Sequence, residues 1–263
     1  MLRSPSWKLL ISAAAALTLA SSPAAAEPTA KPTIVLVHGA FAESNSWNAV
    51  IPILTGHGYR VVAVANPLRS LKGDAAYVAA FTRSVPGDVL LVGHSYGGEV
   101  ISEASSALTN VRGLVFVSGL ATDVGESGAT IGDTFKGSTL GATLAPPVPQ
   151  PDGTKDVYIA QDKFWKQFAA DLPEKEAELL AVGQRPITQE ALAEPARGPG
   201  WKVLPSWFIY GSLDRNITAT AHAFMAKRAK AREAIEVDGS SHVVMVSHPR
   251  EVAALIERAA AAK

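Results

Sequence analysis

The chain has no cysteine among its 263 residues, so neither a disulfide framework nor a thiolate metal site enters the reading. No two histidines stand at ligand spacing on one expected helix, and neither a metal nor another cofactor is expected. Charge of one sign is also missing. The 24 Lys and Arg balance 24 Asp and Glu without any basic cluster, which argues against nucleic acid as a partner. An anchoring apolar run is lacking too: residues 9–20 are apolar and alanine-rich, but about twelve residues fall short of the ~20 that span a bilayer. That run follows Arg3 and Lys8 and precedes Ala24-Ala25-Ala26, the layout of a secretory signal cleaved after Ala26. The expected product is an exported protein, periplasmic or secreted, with no stable membrane anchor. Its mature part, 27–263, has the length of one large domain.

What is present is an alternation of strand-like and helix-like stretches. The β-branched run 33–37 is uninterrupted, as expected of a strand covered on both faces. Further strands are expected at 60–65, 88–92, 113–118, 206–210 and 234–237. Helices are expected at 46–55 with Ser46 as cap, 70–83, 218–231 and 249–261. The pattern predicts an α/β fold with a doubly wound, mostly parallel sheet. Between the fourth and fifth strands the period breaks. Residues 121–201 carry Gly and Pro clusters and two helix-like pieces, 162–171 and 174–182, and read as a helical cap over the carboxyl ends of the strands, where open α/β sheets bind ligands. The cap aromatics Tyr158, Phe164, Trp165 and Phe168 suit either a pocket or a small core of the cap itself. Phe164 and Trp165, with Phe41, are the candidate pocket residues.

Chemistry concentrates at Gly93-His94-Ser95-Tyr96-Gly97-Gly98, directly after the apolar 88–92 run and before a helix-compatible stretch. A strand running through G-x-S-x-G into a helix is the layout of a nucleophile elbow, which makes Ser95 the candidate nucleophile. A serine hydroxyl needs a base. Of six histidines, His242 alone follows the last strand in a loop, with His248 as the runner-up. A carboxylate must then orient the imidazole. Asp214 stands just after a strand and upstream of His242; Asp123 and Asp238 are the alternatives. Two backbone N–H groups must hold the oxyanion. Tyr96, the residue after the serine, supplies one, and the loop His38-Gly39-Ala40-Phe41 supplies the other, with Ala40 favoured over Phe41.

Four segments together, Val-His-Gly-Ala-Phe at 37–41, the elbow at 93–98, Tyr-Gly-Ser-Leu-Asp-Arg at 210–215 and Ser-Ser-His-Val-Val-Met-Val-Ser-His-Pro at 240–249, resemble the α/β-hydrolase superfamily. The resemblance is strongest to cofactor-free bacterial esterases related to plant methylesterases and hydroxynitrile lyases. It implies a serine hydrolase that cleaves small-molecule carboxylic esters through an acyl-enzyme, with Ser95, His242 and Asp214 as triad. Lactones and thioesters suit the same machinery, and peracid formation would be its side reaction. A non-catalytic binding version of the fold is the reading from another class. Lyases of the group carry a lysine after the catalytic histidine and a threonine in the oxyanion loop. Val243 and Gly39 occupy those places here, which disfavours a cyanohydrin lyase. Dehalogenases and epoxide hydrolases of the superfamily use an aspartate nucleophile, which Ser95 excludes.

Overall fold

A computed structural model describes Met1 and residues 30–262; Met1 apart, the expected export signal lies outside the described residues. The first half of the chain alternates strongly. Strand β1 (Thr33–Val37) leads through a short 3₁₀ turn to helix α1 (Ile51–Gly56), then come β2 (Val61–Val64), α2 (Leu71–Ser84), β3 (Val89–His94), α3 (Tyr96–Ser105) and β4 (Val111–Val117). The helix expected over 46–55 is thus split into the turn Ser44–Trp47 and α1. Pro52 is the cause: it has no N–H to donate, and its ring would strike the carbonyl four residues back, so it is tolerated only in a helix's first turn. Ser46 instead accepts a hydrogen bond from the Glu43 N–H at 3.3 Å. Helix α2 begins as the residues dictate, with the Ser70 side chain accepting from the Gly73 N–H.

Between β4 and the next long strand lies the inserted segment. It holds α4 (Gly128–Thr134), a small antiparallel sheet of β5 (Val148–Pro149), β6 (Lys155–Val157) and β7 (Ile187–Thr188), and helices α5 (Gln161–Phe168), α6 (Glu174–Val182) and α7 (Gln189–Ala193). The main alternation then resumes with β8 (Ser206–Gly211), α8 (Ala219–Arg228), β9 (Glu233–Val237), α9 (Val244–Ser247) and α10 (Pro249–Ala261).

The main sheet has six strands in the order β2-β1-β3-β4-β8-β9, all parallel. Its four inner strands are apolar on both faces and nearly free of solvent, as a sheet covered on both sides requires. Phe116 and Phe208 are register partners on β4 and β8, and their rings stack at 4.6 Å. Helices α1 and α10 pack together, as do α2 and α3, so helices cover both faces. From β1 the chain moves to one edge; from β3 it moves to the other. The loops after these two neighbouring strands therefore diverge, and such a switch point opens a crevice at the carboxyl ends. Those loops are 38–41 and the elbow.

Candidate active site

Ser95 occupies the sharp turn between β3 and α3 with φ 53° and ψ −125°, a conformation in the left-handed half of backbone space that side chains rarely adopt. The turn is pinned on all sides. The Ser95 N–H donates to the Val117 carbonyl at 3.2 Å, and the Ser95 carbonyl accepts from Gly98 at 2.9 Å and Leu120 at 3.0 Å. Neighbouring segments of the chain approach so closely that side chains are excluded: a Cβ on Gly97 would lie 2.5 Å from the Val37 carbonyl oxygen, and one on Gly39 would lie 2.5 Å from the Ser95 Cβ. The two loops that flank the switch point are thus in direct backbone contact.

His242 follows β9 and is buried, as is Asp214, which follows β8. The imidazole Nδ1–H donates to Asp214 Oδ2 at 2.7 Å. Asp214 Oδ1 accepts the backbone N–H groups of Asn216 at 2.8 Å and Ile217 at 3.0 Å. Burial pushes the Asp214 carboxyl up, but His242 and the hydrogen bonds it receives outweigh this and hold it well below the usual carboxylate range. With Nδ1 acting as donor, Nε2 of His242 is left as the basic nitrogen, and it has no hydrogen-bond partner among the described residues. Ser95 and His242 border the same cavity, of about 530 Å³, together with Ala40, Phe41 and Tyr96. No hydrogen bond joins the serine to Nε2.

The loop after β1 is fixed from behind. His38 Nε2 accepts from the Asn66 N–H at 2.9 Å, so its Nδ1 carries the proton and donates to the Gly39 carbonyl at 2.9 Å. Burial lowers the His38 pKa and keeps the ring neutral. The Phe41 N–H is already engaged by the Arg185 carbonyl at 3.0 Å. Between the two candidate loop donors, that engagement leaves Ala40.

Two histidines set aside on sequence grounds belong to this site. His94, beside the serine, is fully buried and donates Nε2–H to the His242 carbonyl at 3.2 Å; its ring lies 4.8 Å from that of His242. Burial, reinforced by His242, drives its pKa well down, so it acts as a neutral prop. His222, on α8, approaches Asp214 Oδ2 with Nε2 at 3.3 Å. Only its place in the first turn of the helix that follows the Asp214 loop hinted at this.

The alternatives sit elsewhere. Asp123 pairs with Lys202, Asp238 accepts from the Ser212 hydroxyl at 3.3 Å, and His248 Nδ1 meets the Ser247 hydroxyl at 2.9 Å. Of the expected pocket residues, Phe41 lines the cavity, but Phe164 and Trp165 do not. Helix α5 turns Phe168 to the cavity instead, where its ring lies 4.9 Å from His242. Phe164 is fully buried behind Phe168, and the Trp165 indole N–H donates to the Leu172 carbonyl at 2.9 Å, so these two rings form the cap's own core. The rest of the lining is mainly apolar, including Leu140, Leu144, Leu192 and Ile217, with Asp133 as its one carboxylate.

A parallel sheet with a strained serine at a strand-to-helix turn, and a buried His–Asp pair on the following loops, defines an α/β fold of the hydrolase type. Residues 34–255 match the alpha/beta hydrolase family, and the chain belongs to that family. An alpha/beta hydrolase of Aspergillus novofumigatus is 27% identical over 258 residues, covering 88% of this chain and 97% of the relative. Methylesterase 3 of Arabidopsis thaliana is 25% identical over 253 residues, 88% of this chain and 96% of the relative. Among solved structures, polyneuridine aldehyde esterase superposes with a TM-score of 0.76 at 19% identity, covering 87% of this chain and 99% of that one.

Proposed function

We propose that this hydrolase is a serine carboxylesterase acting on small neutral esters through an acyl-enzyme. The observation that carries the reading is the shared cavity: Ser95, held in a strained turn, and the free Nε2 of His242 face one space, with Asp214 fixing the other side of the imidazole. Ser95 Oγ attacks the ester carbonyl carbon while His242 Nε2 takes its proton. The N–H groups of Ala40 and Tyr96 hold the resulting oxyanion. As the intermediate collapses, the alcohol leaves with the proton from His242, and water, activated by the same nitrogen, then releases the acid and frees Ser95. Asp214 keeps its negative charge throughout and stabilises the imidazolium.

The mainly apolar lining favours acyl or alcohol groups without charge. An apolar Val243 after the histidine offers no cation for a departing cyanide, in keeping with hydrolysis rather than lyase chemistry. Export after cleavage near Ala26 belongs to the same proposal. The test is hydrolysis of p-nitrophenyl esters of graded chain length by the purified protein. Ser95→Ala and His242→Ala are expected to lose at least about a thousandfold in kcat. Retention of most of the activity in Ser95→Ala would overturn the reading.

A further inference from the structure

Asp214 is surrounded by more donors than a triad needs. Both imidazoles, that of His242 at 2.7 Å and that of His222 at 3.3 Å, converge on the same oxygen, Oδ2, while Oδ1 is taken by two backbone N–H groups. The side chains of His222 and Asp214 are both fully buried. His222 comes from α8, and its ring stacks on Tyr210 of β8 at 4.9 Å with the planes 18° apart, which fixes the direction of Nε2. A carboxylate facing Nε2 requires a proton on that nitrogen, and burial lowers the pKa of the ring, so His222 is a neutral donor with Nδ1 unprotonated. Nδ1 meets no partner at hydrogen-bond geometry among the described residues, although the Gly119 backbone lies against the ring and favours its protonated form. The titratable groups packed around the pair are Tyr210 on β8, His242 on its loop and His94 on the elbow, whose ring lies against that of His242.

Resting on the serine-esterase reading above, we propose that His222 is a positioning residue for the reaction: it holds Asp214 Oδ2 in line with His242 and draws off part of that oxygen's charge. Two consequences follow from chemistry. A buried carboxylate with a second donor is less prone to take up a proton, so Asp214 stays ionised and His242 keeps its proton on Nδ1. A carboxylate that shares its charge with His222 also stabilises the imidazolium less. Without His222, His242 would hold its proton to higher pH, and the base would be lost from solution conditions where it now works.

The experiment compares His222→Gln, which keeps a neutral N–H donor, with His222→Phe, which keeps a ring but no donor. Ser95→Ala is the control for the underlying reading. His222→Gln is expected to hold kcat within about threefold of the parent and to leave the acid limb of the kcat/KM profile in place. His222→Phe is expected to lose about tenfold or more in kcat with KM nearly unchanged, and to move the acid limb to higher pH. An unchanged kcat and profile in His222→Phe overturns the proposal, as does an equal loss in both variants with the limb unmoved, which would mark a purely structural role. The unaltered protein supplies a test that no folding failure can spoil. Nitrogen-15 NMR of labelled histidine should show His222 as the neutral Nε2–H form across the pH range in which His242 titrates; the Nδ1–H form, or titration of His222 in that range, overturns it. Activity retained in Ser95→Ala would overturn the esterase reading instead, so the two failures are told apart.

Discussion

Gly39 shows how far single residues are committed to the site. A Cβ there would lie 2.5 Å from the Ser95 Cβ and 2.7 Å from the His94 carbonyl oxygen, and these are elbow atoms with no freedom to retreat. Gly39→Ala is therefore expected to displace the Ala40 N–H from the oxyanion position and lower kcat by about a hundredfold, the usual cost of losing one such donor. Its melting temperature should fall as well; normal kinetics would show that the loop yields without cost. Glu99 makes a prediction of another kind. It is fully buried on α3 with one oxygen bonded to the Thr122 hydroxyl at 3.1 Å and the other beside the Gly128 backbone, and burial raises its pKa well above the ordinary value. The folded protein keeps this proton when the unfolded chain, with a glutamate pKa near 4.3, has lost it. Unfolding thus releases a proton, and the contribution of Glu99 to stability declines as pH rises above about 4.3. Glu99→Gln removes that term, so its melting temperature should gain on the parent's as pH increases from 5 to 8; a constant difference would contradict the assignment. The glycines, Ser95 and His242 were legible because backbone contact and motif order restrict those positions almost to one residue type. His94 and His222 were not, because their roles depend on which way a buried ring points, and no spacing encodes that.

The inserted segment is bound to three of the four loops that carry the site, all but the elbow. Arg185 gives its carbonyl to the Phe41 N–H and its Nε to Glu43 at 2.7 Å. Gln167 on α5 donates to the Arg215 carbonyl at 3.0 Å and to Asn216 Oδ1 at 2.6 Å, beside Asp214. Asp171 accepts from the hydroxyl of Ser241, the residue before His242. These ties couple the segment to the chemistry. Gln167→Ala leaves buried polar groups of the acid loop without partners, a loss of about 1–3 kcal/mol in stability. It should also lower kcat several-fold as Asp214 loosens; urea unfolding with parallel kinetics measures both, and unchanged kcat would mean that the acid loop holds its shape alone. The long strands were readable because continuous apolar runs have few other destinations, and α6 and α10 occupy the expected residues. Strands β5 to β7, of two or three residues, carry no periodic signal at that length. The face of α5 was misread for a related reason: Phe164, Trp165 and Phe168 are all aromatic, and only packing against α6 decides that Phe168 looks down into the cavity.

At the scale of the whole molecule, a six-stranded sheet with helices on both faces supplies a rigid base, and the carboxyl ends of its strands gather residues as far apart in the chain as Ala40 and His242. Among the described residues no helix is long and apolar enough to cross a membrane. The proposed export predicts a mature amino terminus at Glu27, readable by mass spectrometry of the protein recovered outside the cytoplasm; a cytoplasmic product retaining Met1 would contradict it. All of these levels meet in the nucleophilicity of one hydroxyl. The most direct measurement is peptide mapping after reaction of the folded protein with a fluorophosphonate. The account predicts a single adduct on Ser95, formed at a rate that collapses in His242→Ala, whereas no adduct, or one on another serine, would contradict it.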